Sequence, residues 1–235
     1  MKKIAVIAYD HPTRKTQEIL LRLKGSDYQE IDVYATPFAP RKPLHPLISH
    51  RPSGLLLEMD NETLAKNLQY TYIQKNTEKL NEAFQQTDYD AILIGGAGLL
   101  PQELAENHRI INSHPGYLPY VRGLDAVKWA VYEKKTIGVT VHFIDKEADA
   151  GLLIIQEKLK IEENDTFHSM CFKLWDLEMK LLIDSIEIIG QKKNFQPLPV
   201  FGESHRKMPK EKENELFTKF EEYKNELIHG GTKNL

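Results

Sequence analysis

The chain of 235 residues has a single cysteine and no long apolar run. One cysteine, Cys171, excludes an internal disulfide bond and a metal cluster built from cysteines. Its position in a helical pattern favours a small buried side chain over a nucleophile. No apolar segment approaches the roughly 18 residues of a membrane span, and the short apolar run at the N-terminus predicts a strand rather than a signal peptide. We therefore expect a cytoplasmic protein that does not enter a membrane.

The sequence also lacks an excess of either charge. It has 31 basic and 34 acidic residues, and its net charge is −3. This balance gives no general attraction to nucleic acid or anionic lipid. With 41% hydrophobic residues, the chain can bury one substantial core. We expect a catalytic domain of residues 1–190 and a C-terminal extension of residues 191–235, too polar for a core and assigned to a homodimer contact.

Predicted strands and helices alternate along the first 145 residues. Apolar runs predict strands at 3–8, 30–35, 91–95, 109–112 and 137–144. Helical spacing predicts helices at 13–23, 61–86 and 124–134. A further strand is expected at 152–161, and residues 165–166 begin a long helix that ends near residue 189. The alternation favours an α/β fold with a mostly parallel sheet covered by helices on both faces.

The most informative segment of the sequence is residues 112–151. Asn112 and His114 directly follow residues 109–111 of a predicted strand, and their alternation places both side chains on one side. Ligands of such sheets bind beyond the carboxyl ends of the strands. The amide can donate to an oxyanion and the imidazole can exchange a proton near neutral pH. A carboxylate at Asp149, in a loop of small residues, can hold the histidine in one tautomer.

Short motifs surround these three side chains: Leu118-Pro119, Arg122-Gly123 and Gly138-x-Thr140-x-His142. With them, residues 91–161 strongly resemble the folate-dependent formyltransferases. The resemblance implies a Rossmann-like formyltransferase fold, N10-formyltetrahydrofolate as formyl donor, and no metal. It also implies that Asn112, His114 and Asp149 are the catalytic residues.

The resemblance implies a mechanism without a covalent intermediate. A neutral primary amine attacks the formyl carbon, and Asn112 and protonated His114 donate to the formyl oxygen, on which negative charge grows. A water held by Asp149 carries the proton from the amine towards the departing N10 nitrogen. Thr140 and His142 would support these groups, with packing as the competing interpretation.

Backbone groups of two loops hold the pterin in this family. The matching positions are Leu100, Pro101, Gln102, Ile144, Asp145 and Glu147. Leu100 fits an ordinary core position equally well.

The acceptor is expected to be an amino sugar. The first strand ends in residues 9–13, Tyr-Asp-His-Pro-Thr, instead of the glycine-rich loop that cradles phosphate in glycinamide ribonucleotide transformylase. Methionyl-tRNA formyltransferase has a further C-terminal domain and needs a basic surface for RNA, whereas about 45 residues of mixed charge follow the predicted core here. Residues 117–125 look like the enzymes that formylate amino sugars carried on nucleotides. The small size with a short tail fits those acting on dTDP-4-amino-4,6-dideoxyglucose, which implies a role in O-antigen or other surface glycan synthesis.

Five residues are candidates for binding that substrate. His50 and Arg51 lie in a proline-rich loop and can supply charge to a diphosphate, because an arginine fork matches phosphate geometry. A solvated loop arginine is the competing interpretation. Tyr117, Tyr120 and Arg122 are assigned to the sugar pocket, where the tyrosines can alternatively serve only packing.

Other functions stay open at this point. Phosphoribosylglycinamide formyltransferase and formyltetrahydrofolate hydrolase use the same kind of site. The hydrolase family has an additional N-terminal regulatory module, which we do not expect here because the first predicted strand begins at residue 3. A metal-dependent hydrolase would use His11, His108, His114, His142 and Asp149, but no two of these histidines have helical metal-ligand spacing. A non-catalytic binding protein has no need of all three catalytic groups.

Overall fold

A computed structural model describes residues 1–38, 46–145, 151–199 and 204–230. Within these ranges the strands are β1 (Lys3–Tyr9), β2 (Glu30–Thr36), β3 (Thr71–Gln74), β4 (Ala91–Ile94), β5 (Ile110–His114), β6 (Gly138–Phe143), β7 (Leu152–Lys158) and β8 (Gln196–Pro197). The helices are α1 (Arg14–Gly25), α2 (Asn61–Asn67), α3 (Leu80–Gln85), α4 (Gln102–Asn107), α5 (Ala126–Tyr132), α6 (Phe167–Gln191), α7 (Lys210–Glu213) and α8 (Leu216–His229). A short 3-10 helix, Thr77–Lys79, precedes α3.

The described strands form one sheet in the order β3-β2-β1-β4-β5-β6-β7-β8. The pairings from β3 to β5 are parallel, and those from β5 to β8 are antiparallel. The chain moves outwards on one side of β1 to reach β2 and β3, then returns to the other side for β4 and β5. This reversal creates a topological switch point between β1 and β4, the usual place for a ligand crevice.

Helices cover both faces of the sheet, as predicted. The larger core packs α1 and α6 on one face through residues such as Ile19, Leu20 and Leu182. The smaller core packs α3 and α4 on the other face through residues such as Phe84 and Leu104. The predicted α/β fold with a mostly parallel sheet is therefore confirmed.

The long helix α6 matches its local signals. Thr166 accepts a hydrogen bond from the backbone N–H of Ser169, and the Ser169 hydroxyl accepts one from the N–H of Thr166. This reciprocal capping box satisfies two backbone donors at the helix start. Most of its buried residues are apolar, with Glu178 and Ser185 as the buried polar residues of the helix.

The prediction of one helix over residues 61–86 is wrong. Asp60 caps α2 by accepting from the N–H of Thr63. The helix ends before Gln69, whose φ is 65°. Thr71–Gln74 then adds β3 to the edge of the sheet beside β2. Pairing with a strand distant in sequence has overridden the helical spacing here, and Tyr72 and Ile73 suit a strand.

The C-terminal extension contributes to the larger core, so the expectation that it is too polar to do so is wrong. Leu216, Phe220 and Tyr223 of α8 are each at most 3% exposed. They belong to the same apolar cluster as Trp129 of α5. The assignment of the extension to a homodimer contact stays a prediction. No helix in the described ranges is long and apolar enough to cross a bilayer.

Candidate active site

Two neighbouring antiparallel strands display the central polar side chains. Asn112 of β5 lies opposite His142 of β6, and His114 lies opposite Thr140. Directly opposed residues and alternate residues of a strand share one face of the sheet. The four side chains therefore project together from one face, at the end of β5.

Hydrogen bonds fix the orientation of the Asn112 amide. His142 Nδ1 lies 3.0 Å from the Phe143 carbonyl oxygen, which can only accept, so Nδ1 carries a hydrogen. In a neutral ring Nε2 is then an acceptor for Asn112 Nδ2, which lies 3.4 Å away. Within the described residues no other acceptor takes the second Nδ2 hydrogen, which is available to an oxyanion.

His114 is buried, with 5% exposure. Its Nε2 lies 3.2 Å from the carbonyl oxygen of Val121, so Nε2 carries a hydrogen and donates it. In a charged ring Nδ1 is a second donor, and in a neutral ring it is an acceptor. Gly116 presses against the imidazole, because a Cβ at this position would lie 2.6 Å from His114 Nε2.

Thr140 fixes the segment after β5. Its hydroxyl donates to the Gly116 carbonyl at 2.8 Å and accepts from the Leu118 N–H at 3.0 Å. Gln156 of β7 donates to both the Thr140 hydroxyl and the Leu118 carbonyl, each at 2.7 Å. The supporting role expected for Thr140 is consistent with these contacts. Sequence reasoning missed Gln156, although its alternation in β7 was visible.

A buried ionic network lies beneath β5, on the opposite face of the sheet. Glu178 of α6 is 1% exposed and accepts from Lys15 Nζ at 2.7 Å and from the Ser113 hydroxyl at 3.0 Å. Burial opposes the charged form of the carboxyl, but Lys15, Arg51 and these hydrogen bonds outweigh it and lower the pKa of Glu178. The network ties the strand between Asn112 and His114 to helices α1 and α6. No motif in the sequence connects these residues.

The predicted cofactor residues that the structure describes follow β4 and β6, close to β5, and Gln102 begins α4. Leu100 and Ile144 are partly buried and pack against the smaller core. Pro101 is half-buried, and Gln102 and Asp145 are exposed. An apolar edge flanked by loop backbone fits a flat heteroaromatic ring with a polar rim such as a pterin. Glu147 and the predicted catalytic Asp149 lie outside the described residues.

The predicted substrate residues fall into separate groups. His50 is largely buried, and burial first, then Arg51, lowers its pKa to about 4. His50 is therefore neutral at pH 7. Of His50 and Arg51, only Arg51, which is exposed, supplies a positive charge in this loop.

The other three predicted substrate residues follow β5. The rings of Tyr117 and Tyr120 stack on each other with centroids 6.3 Å apart. Arg122 is 9% exposed, and its carbonyl accepts from the His205 N–H at 3.0 Å.

Two further candidates from the sequence can be placed. Cys171 is buried, as predicted, and burial raises the pKa of its thiol to about 12, which makes a thiolate nucleophile unfavourable. Among the described residues no group of three or more histidine, cysteine or acidic side chains is arranged to hold a metal ion.

Comparison with known proteins assigns the chain to a family. Residues 2–186 match the family model described as formyl transferase. The chain belongs to the formyl transferase family. The resemblance inferred from the motifs is thereby confirmed.

Curated members of the family with different acceptors are similar to this chain. The dTDP-4-amino-4,6-dideoxyglucose formyltransferase of Mycobacterium tuberculosis is 34% identical over 89 residues, which are 38% of this chain and 38% of that protein. The methionyl-tRNA formyltransferase of Fusobacterium nucleatum is 32% identical over 131 residues, which are 54% of this chain and 42% of that protein. The chain spans less than half the length of either relative.

Solved structures share the fold of this chain. The formyltransferase PseJ from Anoxybacillus kamchatkensis, in complex with UDP-4,6-dideoxy-4-formamido-L-AltNAc and tetrahydrofolate, has a TM-score of 0.55 at 24% identity, covering 91% of this chain and 90% of that chain. The phosphoribosylglycinamide formyltransferase from Streptococcus pneumoniae has a TM-score of 0.57 at 20% identity, covering 81% of this chain and 99% of that chain.

Proposed function

We propose that this chain transfers a formyl group from N10-formyltetrahydrofolate to the amine of a nucleotide-linked amino sugar. The observation that supports the transfer best is the pairing of Asn112 with His142 beside His114 on one face of β5 and β6. It places an oriented amide donor next to an imidazole at the ligand-binding edge of the sheet. Membership of the formyl transferase family supports assigning formyl transfer to this pair.

The chain's own groups would stabilise developing charge and move one proton. When bound, the donor supplies an activated formyl carbon. The Nδ2 hydrogen of Asn112 that His142 does not accept would be donated to the oxygen on which negative charge grows. A charged His114 would donate from Nδ1 while Nε2 continues to donate to Val121. Asp149 is proposed to hold the water that takes the proton from the attacking amine.

The backbone of residues 100–102 and 144–145 is proposed to hold the pterin of the donor. Leu100 and Ile144 would exclude water from one side of the ring, because both already lie at the edge of the smaller core. Excluding water strengthens the donation from Asn112 to the oxyanion.

An amino sugar is the acceptor that the observations favour. The M. tuberculosis relative is named for dTDP-4-amino-4,6-dideoxyglucose, and the PseJ structure holds a formamido sugar on UDP. The turn after β1 is Asp10-His11-Pro12, without the glycines that would cradle a phosphate by backbone N–H groups. We propose dTDP-4-amino-4,6-dideoxyglucose as the substrate, a cytoplasmic reaction and a role in O-antigen synthesis.

The test is a formyl-transfer assay with the purified chain. With N10-formyltetrahydrofolate and dTDP-4-amino-4,6-dideoxyglucose, mass spectrometry should detect a product heavier by one formyl group, and Asn112→Ala should abolish most of it. Parallel reactions contain UDP-linked 4-amino sugars, glycinamide ribonucleotide, initiator methionyl-tRNA, or no amine. Turnover only with glycinamide ribonucleotide or only with initiator methionyl-tRNA would reject the amino sugar and identify another acceptor. Turnover only in the reaction without an amine would identify hydrolysis of the formyl donor.

A further inference from the structure

The imidazole of His114 is oriented by a backbone carbonyl that lies in a loop. Its Nε2 donates to the Val121 carbonyl at 3.2 Å, and Val121 belongs to the segment between β5 and α5. A loop keeps a fixed geometry only where other groups of the chain hold its backbone. The position of the imidazole therefore depends on what holds the residues next to Val121.

His205 of the C-terminal extension holds this loop through backbone hydrogen bonds. Its N–H donates to the Arg122 carbonyl at 3.0 Å, and its carbonyl accepts from the Leu124 N–H at 2.9 Å. Gly123, between these two residues, forms an isolated parallel bridge with His205. A Cβ on Gly123 would overlap the His205 carbonyl, so the two backbones approach as closely as a glycine allows. Arg122 is the chain neighbour of Val121, whose carbonyl is thereby fixed in place.

The side chain of His205 fixes its own backbone against α5. Its ring lies flat on the ring of Trp129, with centroids 4.4 Å apart and an angle of 9° between the planes. Its Nε2 lies 3.4 Å from a carboxylate oxygen of Glu133. Trp129 Nε1 also donates to the carbonyl of Arg206, the next residue, at 2.8 Å. The flat stack and the hydrogen bond together hold residues 205–206 on the helix.

The residues that follow are attached to the same part of the molecule. The Met208 N–H donates to a carboxylate oxygen of Asp125, directly before α5, at 3.0 Å. Glu213 is 1% exposed and accepts from the buried Lys128 of α5. Residues 205–213 are therefore attached along α5 at several points, and the contact of this segment with the loop before the helix does not depend on one bond.

We infer that His205 is a positioning residue for formyl transfer, which orients His114 through the loop between β5 and α5. The Trp129 stack fixes the His205 backbone, this backbone fixes the loop, and the Val121 carbonyl fixes the imidazole. Reacting groups keep a productive geometry only when the groups around them are held in this way. This role rests on the proposed function, because it assumes that His114 acts on the formyl group. It adds a residue beyond the segment 2–186 that matches the family.

Steady-state kinetics of full-length variants test the inference, with N10-formyltetrahydrofolate and whichever amine the chain formylates. His205→Ala should lower kcat by about tenfold and leave KM for the formyl donor unchanged, because the imidazole is misplaced while the pterin loops are not. His205→Phe, which keeps a ring flat on Trp129, should recover most of the loss. His168→Ala is the matched control, since His168 is exposed and its ring contacts Phe217 of the extension. Its kcat should stay within about twofold of the unaltered chain.

Combination with His114→Ala separates positioning from a general loosening of the fold. In that background His205→Ala should lower kcat by less than about twofold, because no imidazole remains to be oriented. The same tenfold loss in both backgrounds, or a lower Tm with normal kcat, would overturn the inference. If His205→Ala does not fold, His205→Leu is compared with His205→Phe, since only phenylalanine retains the flat ring. Equal kcat in these two variants would overturn the inference as well.

Nuclear magnetic resonance provides a measurement that needs no turnover. Exchange with solvent of the His114 Nε2 hydrogen and of the Leu124 amide reports the two contacts of the loop. Both should exchange faster in His205→Ala and at the normal rate in His168→Ala. Faster exchange in a chain that formylates no amino sugar would support the role of His205 and reject the proposed acceptor. Unchanged exchange in a chain that does formylate an amino sugar would do the reverse.

Discussion

The side-chain amide of Asn112 and the imidazole of His142 are joined by a hydrogen bond of 3.4 Å from Nδ2 to Nε2. In a neutral ring His142 accepts this bond at Nε2, because Nδ1 carries the hydrogen that is directed at the Phe143 carbonyl. The backbone of β6 therefore decides which way the amide of β5 points. An oxyanion donor set in advance costs no reorganisation during the reaction.

Replacing Asn112 removes the proposed oxyanion donor. Asn112→Ala should lower kcat by about 100- to 1,000-fold, while the dissociation constant of 5-formyltetrahydrofolate stays close to that of the unaltered chain. Steady-state kinetics and calorimetry measure the two quantities. A loss confined to KM would remove Asn112 from the charge-stabilising role.

Replacing His142 should act through Asn112. His142→Leu removes the acceptor and lets the amide rotate, so we expect kcat to fall by about 10- to 100-fold with little change in KM. In the double variant with Asn112→Ala the second change should add almost nothing. His229→Leu, at the exposed end of α8, is the control and should be silent. Independent, multiplying effects of the two changes would contradict the relationship.

Gly116 tests how closely the imidazole of His114 is packed. In Gly116→Ala the new methyl would lie 2.6 Å from His114 Nε2 and 2.9 Å from the Val121 carbonyl. Either group must move, which typically costs about 1–3 kcal/mol and breaks the bond that orients the ring. We expect a sharp loss of kcat and a lower Tm.

The control for this change is Gly25→Ala, because a Cβ at Gly25 meets nothing within 4 Å. It should retain both activity and Tm. Full activity of Gly116→Ala would show that the contact with the imidazole has no bearing on the reaction.

Local signals made much of this fold predictable. The continuous apolar run of β1 and the Thr166 cap of α6 are each determined within a few residues. The alternation of Asn112 and His114 likewise follows from the period of a strand. Such features need no knowledge of distant neighbours.

Features that depend on distant partners were not predictable in the same way. Thr71–Gln74 is a strand because it pairs with β2, and helical spacing over the same segment was misleading. Ser113 meets Glu178 across 65 positions of sequence, so its role as the anchor of β5 is visible only in the folded chain. The amphipathic helix α8 similarly gains its buried face from α5.

Because His50 is buried as a neutral imidazole, we expect the free energy of unfolding to depend on pH. Its pKa is about 4 in the folded chain against an ordinary value of 6.5, so the unfolded chain takes up a proton first as the pH falls. The free energy of unfolding should therefore decrease as the pH falls from 6.5 to about 4. His50→Gln should remove this part of the decrease, which urea denaturation across that range can measure. An unchanged slope would contradict the burial of a neutral imidazole.

The buried carboxylate of Glu178 should make the stability of the chain depend on pH in a second, lower range. Its pKa is lowered from the ordinary value of 4.5, so its contribution is present above that pH and is lost as the pH falls through the folded-state value. Glu178→Gln should flatten the decline of Tm below pH 4.5 and leave the slope due to His50. Lys15→Met, which leaves the carboxylate without its closest cation, should lower Tm most at pH 7. If Glu178→Gln and the unaltered chain lose Tm in parallel below pH 4.5, the ionic network is not the cause.

A buried charge pair joins the C-terminal extension to α5, and we expect it to stabilise the domain. Lys128 of α5 is fully buried and contacts Glu213 of α7, with Asp125 at 3.6 Å. Glu213→Leu should destabilise the chain by about 3–5 kcal/mol, since it leaves a buried ammonium with too little compensation. Adding Lys128→Met should restore much of that loss, because an apolar pair of similar volume replaces the charges. Urea denaturation measures both.

An exposed ion pair between the extension and the rest of the chain provides the comparison. Lys134 and Glu226 form an ion pair with side chains 39% and 51% exposed, and Glu226→Ala should cost less than about 1 kcal/mol. If Glu213→Leu cost no more than this, the extension would be a loosely attached appendage, as its polar composition first indicated. A large cost with recovery in the double variant would instead show that residues beyond 191 belong to the cooperative unit, and that shortening the chain there is not a fair test of its oligomeric state.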